Sequence, residues 1–257
     1  MTRQTIRLLD VTIDALTLPQ AVDRAKAFIQ AGGFHHIVTP GPEFLLEATA
    51  HARFRKILNQ ADLALPDGMG VVIGSRLTGQ RLRHRVPGVD FVEALLDQAD
   101  VHGWSVFLYG GRHPVAEQAA EKIQRRWRHL KIVGLESETR GAWSKIPTSH
   151  VVERIHLAKP DILLVALGAP KQELWIDRHR TALHEVKVAI GVGRTFEYLA
   201  GTVKRAPAHI RRLGLEWLVT YLTAERYYQP QLRRQRVKNA TLHFIWEILQ
   251  HGRGKQS

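Results

Sequence analysis

Asp67 closes the short apolar run Asp62–Pro66 and is followed by Gly68-Met69-Gly70. Two glycines there let the backbone bend tightly and a ligand come close. A carboxylate so placed can act as a general base, taking the proton of a hydroxyl as it attacks. The same Asp can equally be the N-cap of a helix starting near Met69, and spacing alone leaves both readings open. Thr39-Pro40-Gly41-Pro42-Glu43 sets a hydroxyl at another strand end, with Glu43 in the first turn of the next helix. Its plain alternative is a helix-entry turn with a hydroxyl cap. Tyr109-Gly110-Gly111-Arg112 precedes a helix opened by Pro114. There Gly110 and Gly111 either offer backbone N–H groups to a diphosphate or simply make a tight turn. In Gly168-Ala169-Pro170-Lys171-Gln172-Glu173, Lys171 can neutralise phosphate and Gln172 can hydrogen-bond sugar hydroxyls. The bland reading of that string is a helix whose first turn faces solvent.

Absent motifs narrow the chemistry. Neither Gly110-Gly111 nor Gly191-Val192-Gly193-Arg194-Thr195-Phe196 completes a dinucleotide fingerprint, so NAD is not expected. There is no HExxH pair, no Asp-x-Asp, and the 14 histidines are scattered. With no cysteine there is no disulfide, thiol nucleophile or thiolate metal cage. The expectation is a mechanism without metal or cofactor.

Five short apolar runs must position these loops: His35–Thr39, Asp62–Pro66, Ser105–Tyr109, Ile162–Leu167 and Val186–Ile190. Helical patterns alternate with them over Glu43–Asn59, Asp90–His102, Pro114–Trp127, Ser149–Ala158 and Lys171–Leu183. A first helix starts near Thr17, with Gln20 in capping-box spacing, and stops at Gly32-Gly33. Strands separated by helices predict an α/β fold, Rossmann-like, with a mostly parallel sheet and helices on both faces. Ligands of such sheets bind beyond the carboxyl ends of the strands, where the loops above lie. After Gly201 the pattern changes to two long amphipathic helices, Leu213–Tyr228 and Leu232–Gln250. The chain therefore divides into a body, 1–200, and a basic helical C-terminal appendage, 201–257.

The 257 residues carry 37 Lys+Arg against 24 Asp+Glu, a formal charge of +13. Residues 201–257 hold 11 of the basic residues and 3 of the acidic ones, with six aromatics among them. Such a tail suits an anionic membrane surface, a phosphorylated ligand or nucleic acid, or is an ordinary solvated face. No base-reading motif accompanies it, so nucleic acid is not expected as a partner. No apolar run reaches the roughly 18 residues needed to span a bilayer, and the N-terminus shows no signal-peptide core. A cytoplasmic protein is expected.

Taken in order, the strings resemble the WecG/TagA/CpsF family of bacterial glycosyltransferases (glycosyltransferase family 26). The resemblance rests on Thr39-x-x-Pro42-Glu43-Phe44, Pro66-Asp67-Gly68-Met69-Gly70 and Arg85-Val86-x-Gly88-x-Asp90. It continues through Val106–Gly111, Gly168-x-Pro170-Lys171-Gln172-Glu173-x-Trp175, Gly191-Val192-Gly193, Lys204-Arg205-Ala206-Pro207 and Gly214-Leu215-Glu216-Trp217-Leu218.

The resemblance implies inverting transfer of a sugar from a UDP-sugar to an undecaprenyl-diphosphate-linked saccharide, in surface polysaccharide or teichoic acid synthesis. N-acetylmannosamine, its uronic acid and glucose are the donor sugars it suggests. It makes Asp67 the general base, with Thr39, Arg85 and Gln172 in the same pocket, and adds Arg205, Lys171, Gly110, Gly111 and Gly168 to the substrate-binding set. It also implies a peripheral protein on the inner face of the cell membrane, able to self-associate as a homo-oligomer. Thr220 and Tyr227 stand where the family carries arginines, which leaves Arg226, Arg233, Arg234 or Arg236 to hold the donor diphosphate. A catalytically silent family member that binds the lipid-linked saccharide or a partner without transferring sugar is the alternative.

Overall fold

The computed structural model describes residues 3–138, 148–222, 231 and 243–253. The chain opens with an antiparallel hairpin, β1 (Thr5–Leu8) and β2 (Val11–Asp14), turned by Leu9 and Asp10 at φ 45° and 61°. Helix α1 (Leu18–Ala31) begins as its sequence predicts. Thr17 and Gln20 cap each other, each side chain accepting the other's backbone N–H. There follow β3 (His35–Val38), α2 (Pro42–Ala50), α3 (Ala52–Gln60), β4 (Leu63–Ala64), α4 (Met69–Leu77) and α5 (Gly88–His102). Next come β5 (Ser105–Arg112), α6 (Val115–Arg126), β6 (Lys131–Glu138), α7 (Thr148–Ala158), β7 (Ile162–Ala166) and α8 (Lys171–His179). The chain continues with β8 (Val188–Gly191), α9 (Thr195–Leu199), α10 (Ala208–Arg212), α11 (Glu216–Leu222) and α12 (Phe244–Arg253).

Strands β3 to β8 form one all-parallel sheet in the order β4-β3-β8-β7-β5-β6, so the expected α/β fold is the one observed. Both faces are covered, and the alternation along β7 shows how. Ile162, Leu164 and Ala166 enter the core with Phe91 and Leu95 of α5 and Ala119 of α6. Leu163 and Val165 enter the opposite core with Ile155 of α7 and Ile176 of α8. Successive strand residues point to opposite faces, so a strand buried on both sides must be apolar throughout, as this one is.

The helix predicted over 43–59 is two helices, broken at His51, which is extended. Leu45, Ala48, Phe54 and Leu58 all belong to one core. On one continuous helix, Phe54 would lie half a turn from Leu45, at about 100° per residue. The break restores the phase. Strand β6 and the hairpin were not predicted. The C-terminal helix predicted from Leu213 starts later, at Glu216 as α11, after a short unpredicted helix, α10, that ends at Arg212 and a turn in which Gly214 takes φ 74°. Most of 223–242 lies outside the described residues.

The C-terminal helix packs onto the body. Phe244 and Ile248 of α12 are buried in the core that holds Leu45 of α2 and Val71 of α4. The Phe244 ring lies against Gly74, where even a Cβ would stand 3.0 Å from it. Among the described residues no helix is long and apolar enough to cross a membrane.

Candidate active site

The carboxyl ends of four neighbouring strands, β4, β3, β8 and β7, open into one cavity of about 360 Å3. Thr39 follows β3, Asp67 follows β4, Gly168 follows β7, and Gly191-Val192-Gly193 leads from β8 into α9. The β3 and β4 loops are tied together, since the N–H of Asp67 donates to the carbonyl of Pro40 at 3.1 Å.

Asp67 does not cap α4. The N-cap of α4 is Gly68, which makes no side-chain cap bond. The Asp67 Oδ2 accepts instead from the N–H of Gly88, the first residue of α5, at 3.2 Å. Gly88 also brings Thr39 close. A Cβ on Gly88 would stand 3.5 Å from both the Asp67 Oδ2 and the Thr39 Oγ1. Burial pushes the Asp67 pKa up to about 6, against the pull of the Gly88 hydrogen bond. The charges of Glu216 and Asp90 add to the rise, and Arg85 opposes it. A carboxylate so tuned is ionised near neutrality yet holds a proton far better than a solvated Asp, which suits a general base.

Arginines rim the cavity: Arg85, Arg194 and Arg205 all line it. Arg85 and Arg205 are held by carboxylates and by the C-terminal segment. Arg205 pairs with Asp90 of α5 and, at 3.4 Å, with Glu216 of α11. Arg85 lies 3.9 Å from Glu216 and donates to the carbonyl of Arg211. Arg211 in turn reaches Asp90 at 3.3 Å. Gly214, Glu216 and Trp217 complete the wall. The turn at Gly214 sits directly on Met69, the first residue of α4.

Thr39, Asp67, Arg85, Gly168, Gln172 and Arg205 are thus brought to one cavity. Lys171 is exposed on the first turn of α8 and is not part of the wall. Gly110 and Gly111 also lie outside it, and packing accounts for both. A Cβ on Gly110 would stand 2.7 Å from the Ala166 carbonyl, and one on Gly111 2.9 Å from the Phe196 ring. The reading of α8 as a helix with a solvent-facing first turn is corrected, because Gln172 is 2% and Glu173 0% exposed. Arg226, Tyr227, Arg233, Arg234 and Arg236 lie outside the described residues, as does the side chain of Thr220. Sequence reasoning gave no role to Asp90, Glu216 or Arg194. Asp90 meets Arg205 across 115 residues of chain and Arg211 across 121, so the only signal was that Asp90 and Glu216 fall within the motifs of the resemblance. Among the described residues no group of three or more His, Cys, Asp or Glu side chains is placed to hold a metal ion.

Doubly wound sheets bind their ligands at this edge, and here the edge holds a buried carboxylate in a cavity lined by arginines, a setting that suits a group-transfer enzyme. The chain belongs to the glycosyl transferase WecG/TagA/CpsF family, whose model matches residues 6–257. It is 38% identical over 221 residues to an N-acetylglucosaminyldiphosphoundecaprenol N-acetyl-beta-D-mannosaminyltransferase of Staphylococcus aureus strain MRSA252. That match covers 83% of this chain and 82% of the relative. The protein of the same description from strain NCTC 8325 / PS 47 is 37% identical over the same shares.

Proposed function

We propose that this glycosyltransferase moves an N-acetylmannosamine-type sugar from a UDP-sugar to a saccharide carried on undecaprenyl diphosphate, with inversion at the anomeric carbon. The observation that carries the reading is Asp67, bonded by the Gly88 N–H beside Thr39 in a cavity that Arg85, Arg194 and Arg205 also line. In the proposed step the acceptor hydroxyl oxygen bonds to the anomeric carbon. The bond from that carbon to the UDP oxygen breaks, and UDP keeps the electron pair. The hydroxyl proton passes to the Asp67 carboxylate. A single displacement from the face opposite UDP inverts the configuration. Arg85, Arg194 and Arg205 are the groups to neutralise the departing diphosphate. The two S. aureus relatives are named for the same kind of transfer, to a diphosphoundecaprenol-linked N-acetylglucosamine.

A membrane-surface location is part of the proposal. Large apolar side chains are exposed at Leu213, just after α10, at Trp217, Leu218 and Leu222 of α11, of which Trp217 lines the cavity, and at Trp246 and Leu249 of α12. Exposed apolar helix faces with arginines around them suit an interface of anionic headgroups, where a polyprenyl-linked acceptor resides.

The test is a screen of UDP-sugars against a synthetic N-acetylglucosaminyl diphosphate lipid, read by product mass. A product heavier by one sugar residue supports the reading. No calorimetric binding of UDP even with acceptor present, together with no product from any donor, would replace it with the silent, binding-only alternative.

A further inference from the structure

The first turn of helix α8 holds, after the exposed Lys171, two polar residues that the fold buries, Gln172 and Glu173. The Gln172 Oε1 accepts the N–H of Gly168, in the loop after β7, at 3.0 Å. The same oxygen accepts the N–H of Gly193, in the loop after β8, also at 3.0 Å. One atom therefore holds together two separate walls of the cavity. An amide can present either its oxygen or its NH2, and only the oxygen can face two N–H donors. The orientation is set by what the NH2 meets, and here the Gln172 Nε2 donates to the Glu173 Oε1 at 2.7 Å.

The strand beneath is shaped for this pair. A Cβ on Gly191 of β8 would stand 2.5 Å from both the Gln172 Nε2 and the Glu173 Oε1. The Glu173 Oε2 is buried with no hydrogen-bond partner. Burial raises the Glu173 pKa to about 7, so the carboxyl is readily kept as the neutral acid. A buried acid left half-satisfied is costly, and its retention beside the site calls for a use.

We propose that Glu173 is a positioning residue: its carboxyl locks the Gln172 amide in the one orientation that clamps the Gly168 and Gly193 loops into the cavity wall. Gln172 then acts on the backbone rather than on a sugar hydroxyl. Only the kinetic part of the test rests on the transferase reading above.

The experiment compares Glu173→Gln with Glu173→Leu in the full-length protein. Glutamine restores an acceptor oxygen for the Gln172 Nε2, whereas leucine fills the space and offers none. The expected result for Glu173→Leu is a donor KM raised on the order of tenfold, with kcat within about threefold, from loss of one buried hydrogen bond. Glu173→Gln is expected to return KM to the parent value. Independently of any activity, amide hydrogen exchange at Gly168 and Gly193 should quicken in the leucine variant and stay slow in the glutamine one. If transfer is absent in the parent protein, the exchange measurement alone decides. Unchanged exchange and KM in Glu173→Leu, or a Glu173→Gln protein as impaired as the leucine one, would overturn the proposal. Should Glu173→Leu not fold, Gly191→Ala puts a methyl against both partners and must produce the same changes. A folded Gly191→Ala protein with parent exchange at both loops overturns the proposal as well.

Discussion

The Asp67 carboxylate takes a hydrogen bond from the N–H of Gly88 at 3.2 Å, and so stands at the amino end of α5 instead of its own helix α4. The bond anchors one oxygen and leaves the carboxylate on the cavity wall. It also places Asp67 next to Thr39, which comes from a different strand.

Asp67→Asn keeps an acceptor for Gly88 but cannot take up a proton. Transfer is expected to fall by roughly 10²–10⁴-fold with KM little changed, as measured by steady-state kinetics. In the parent protein kcat/KM should decline as pH falls through about 6, where Asp67 becomes protonated. The folded-state pKa lies above the ordinary 3.8, so the stability Asp67 contributes is complete at low pH and lost as pH rises through about 6. Above pH 7 the Asn variant should therefore melt at a higher temperature than the parent.

Gly214→Ala tests whether the C-terminal segment is a wall of the site. Its backbone is left-handed, with φ 74°, and a Cβ would stand 2.0 Å from the Met69 Cγ. The methyl must push the turn that leads into α11 away from Met69 and so displace Glu216 and Trp217 in the cavity wall. The expected outcome is loss of transfer with a far-UV spectrum like that of the parent.

Phe244→Ala should cost about 3–5 kcal/mol in urea unfolding, the usual range for emptying a fully buried aromatic site. Phe244 is 0% exposed and shares its core with Val71 and Leu45. Removing residues 201–257 should destabilise the body for the same reason, giving a lower melting temperature.

The double change Leu213→Asp/Leu222→Asp adds two charges at the most exposed large apolar positions among the described residues of the C-terminal segment, 68% and 65% accessible. Co-sedimentation with anionic vesicles should drop severalfold, while transfer to a short-chain, water-dispersed acceptor is retained.

Much of the sheet could be read from apolar runs because buried parallel strands are apolar on both faces. The Thr17/Gln20 cap was legible because it is made of near neighbours. Edge and turn elements were not. Strand β6 (Lys131–Glu138) lies at the sheet edge and mixes polar with apolar residues. The hairpin turns through Leu9 and Asp10 without the Asn-Gly signal that usually marks left-handed residues. In the site, Asp67 and Thr39 could be found as strand-end residues. The Arg85–Glu216–Arg205–Asp90 network could not, since its members meet only when the chain's end returns to the body. Polarity also misled at Gln172 and Glu173, which look solvated and are among the most deeply buried polar residues.

The central position of β8 has a consequence for biosynthesis. It is the last strand of the sheet to leave the ribosome, and it alone joins β3–β4 to β7–β5–β6. Until residues 188–191 emerge, nothing can join β3–β4 to β7–β5–β6, and any pairing formed on either side leaves the β8-facing edge of β3 or β7 bare. Unpaired edges of this kind are templates for pairing with other chains. Thr39 and Asp67 belong to one half, and Gly168 and Gln172 to the other. One short strand thus ends the window of aggregation risk and, in the same event, brings the two sides of the cavity together.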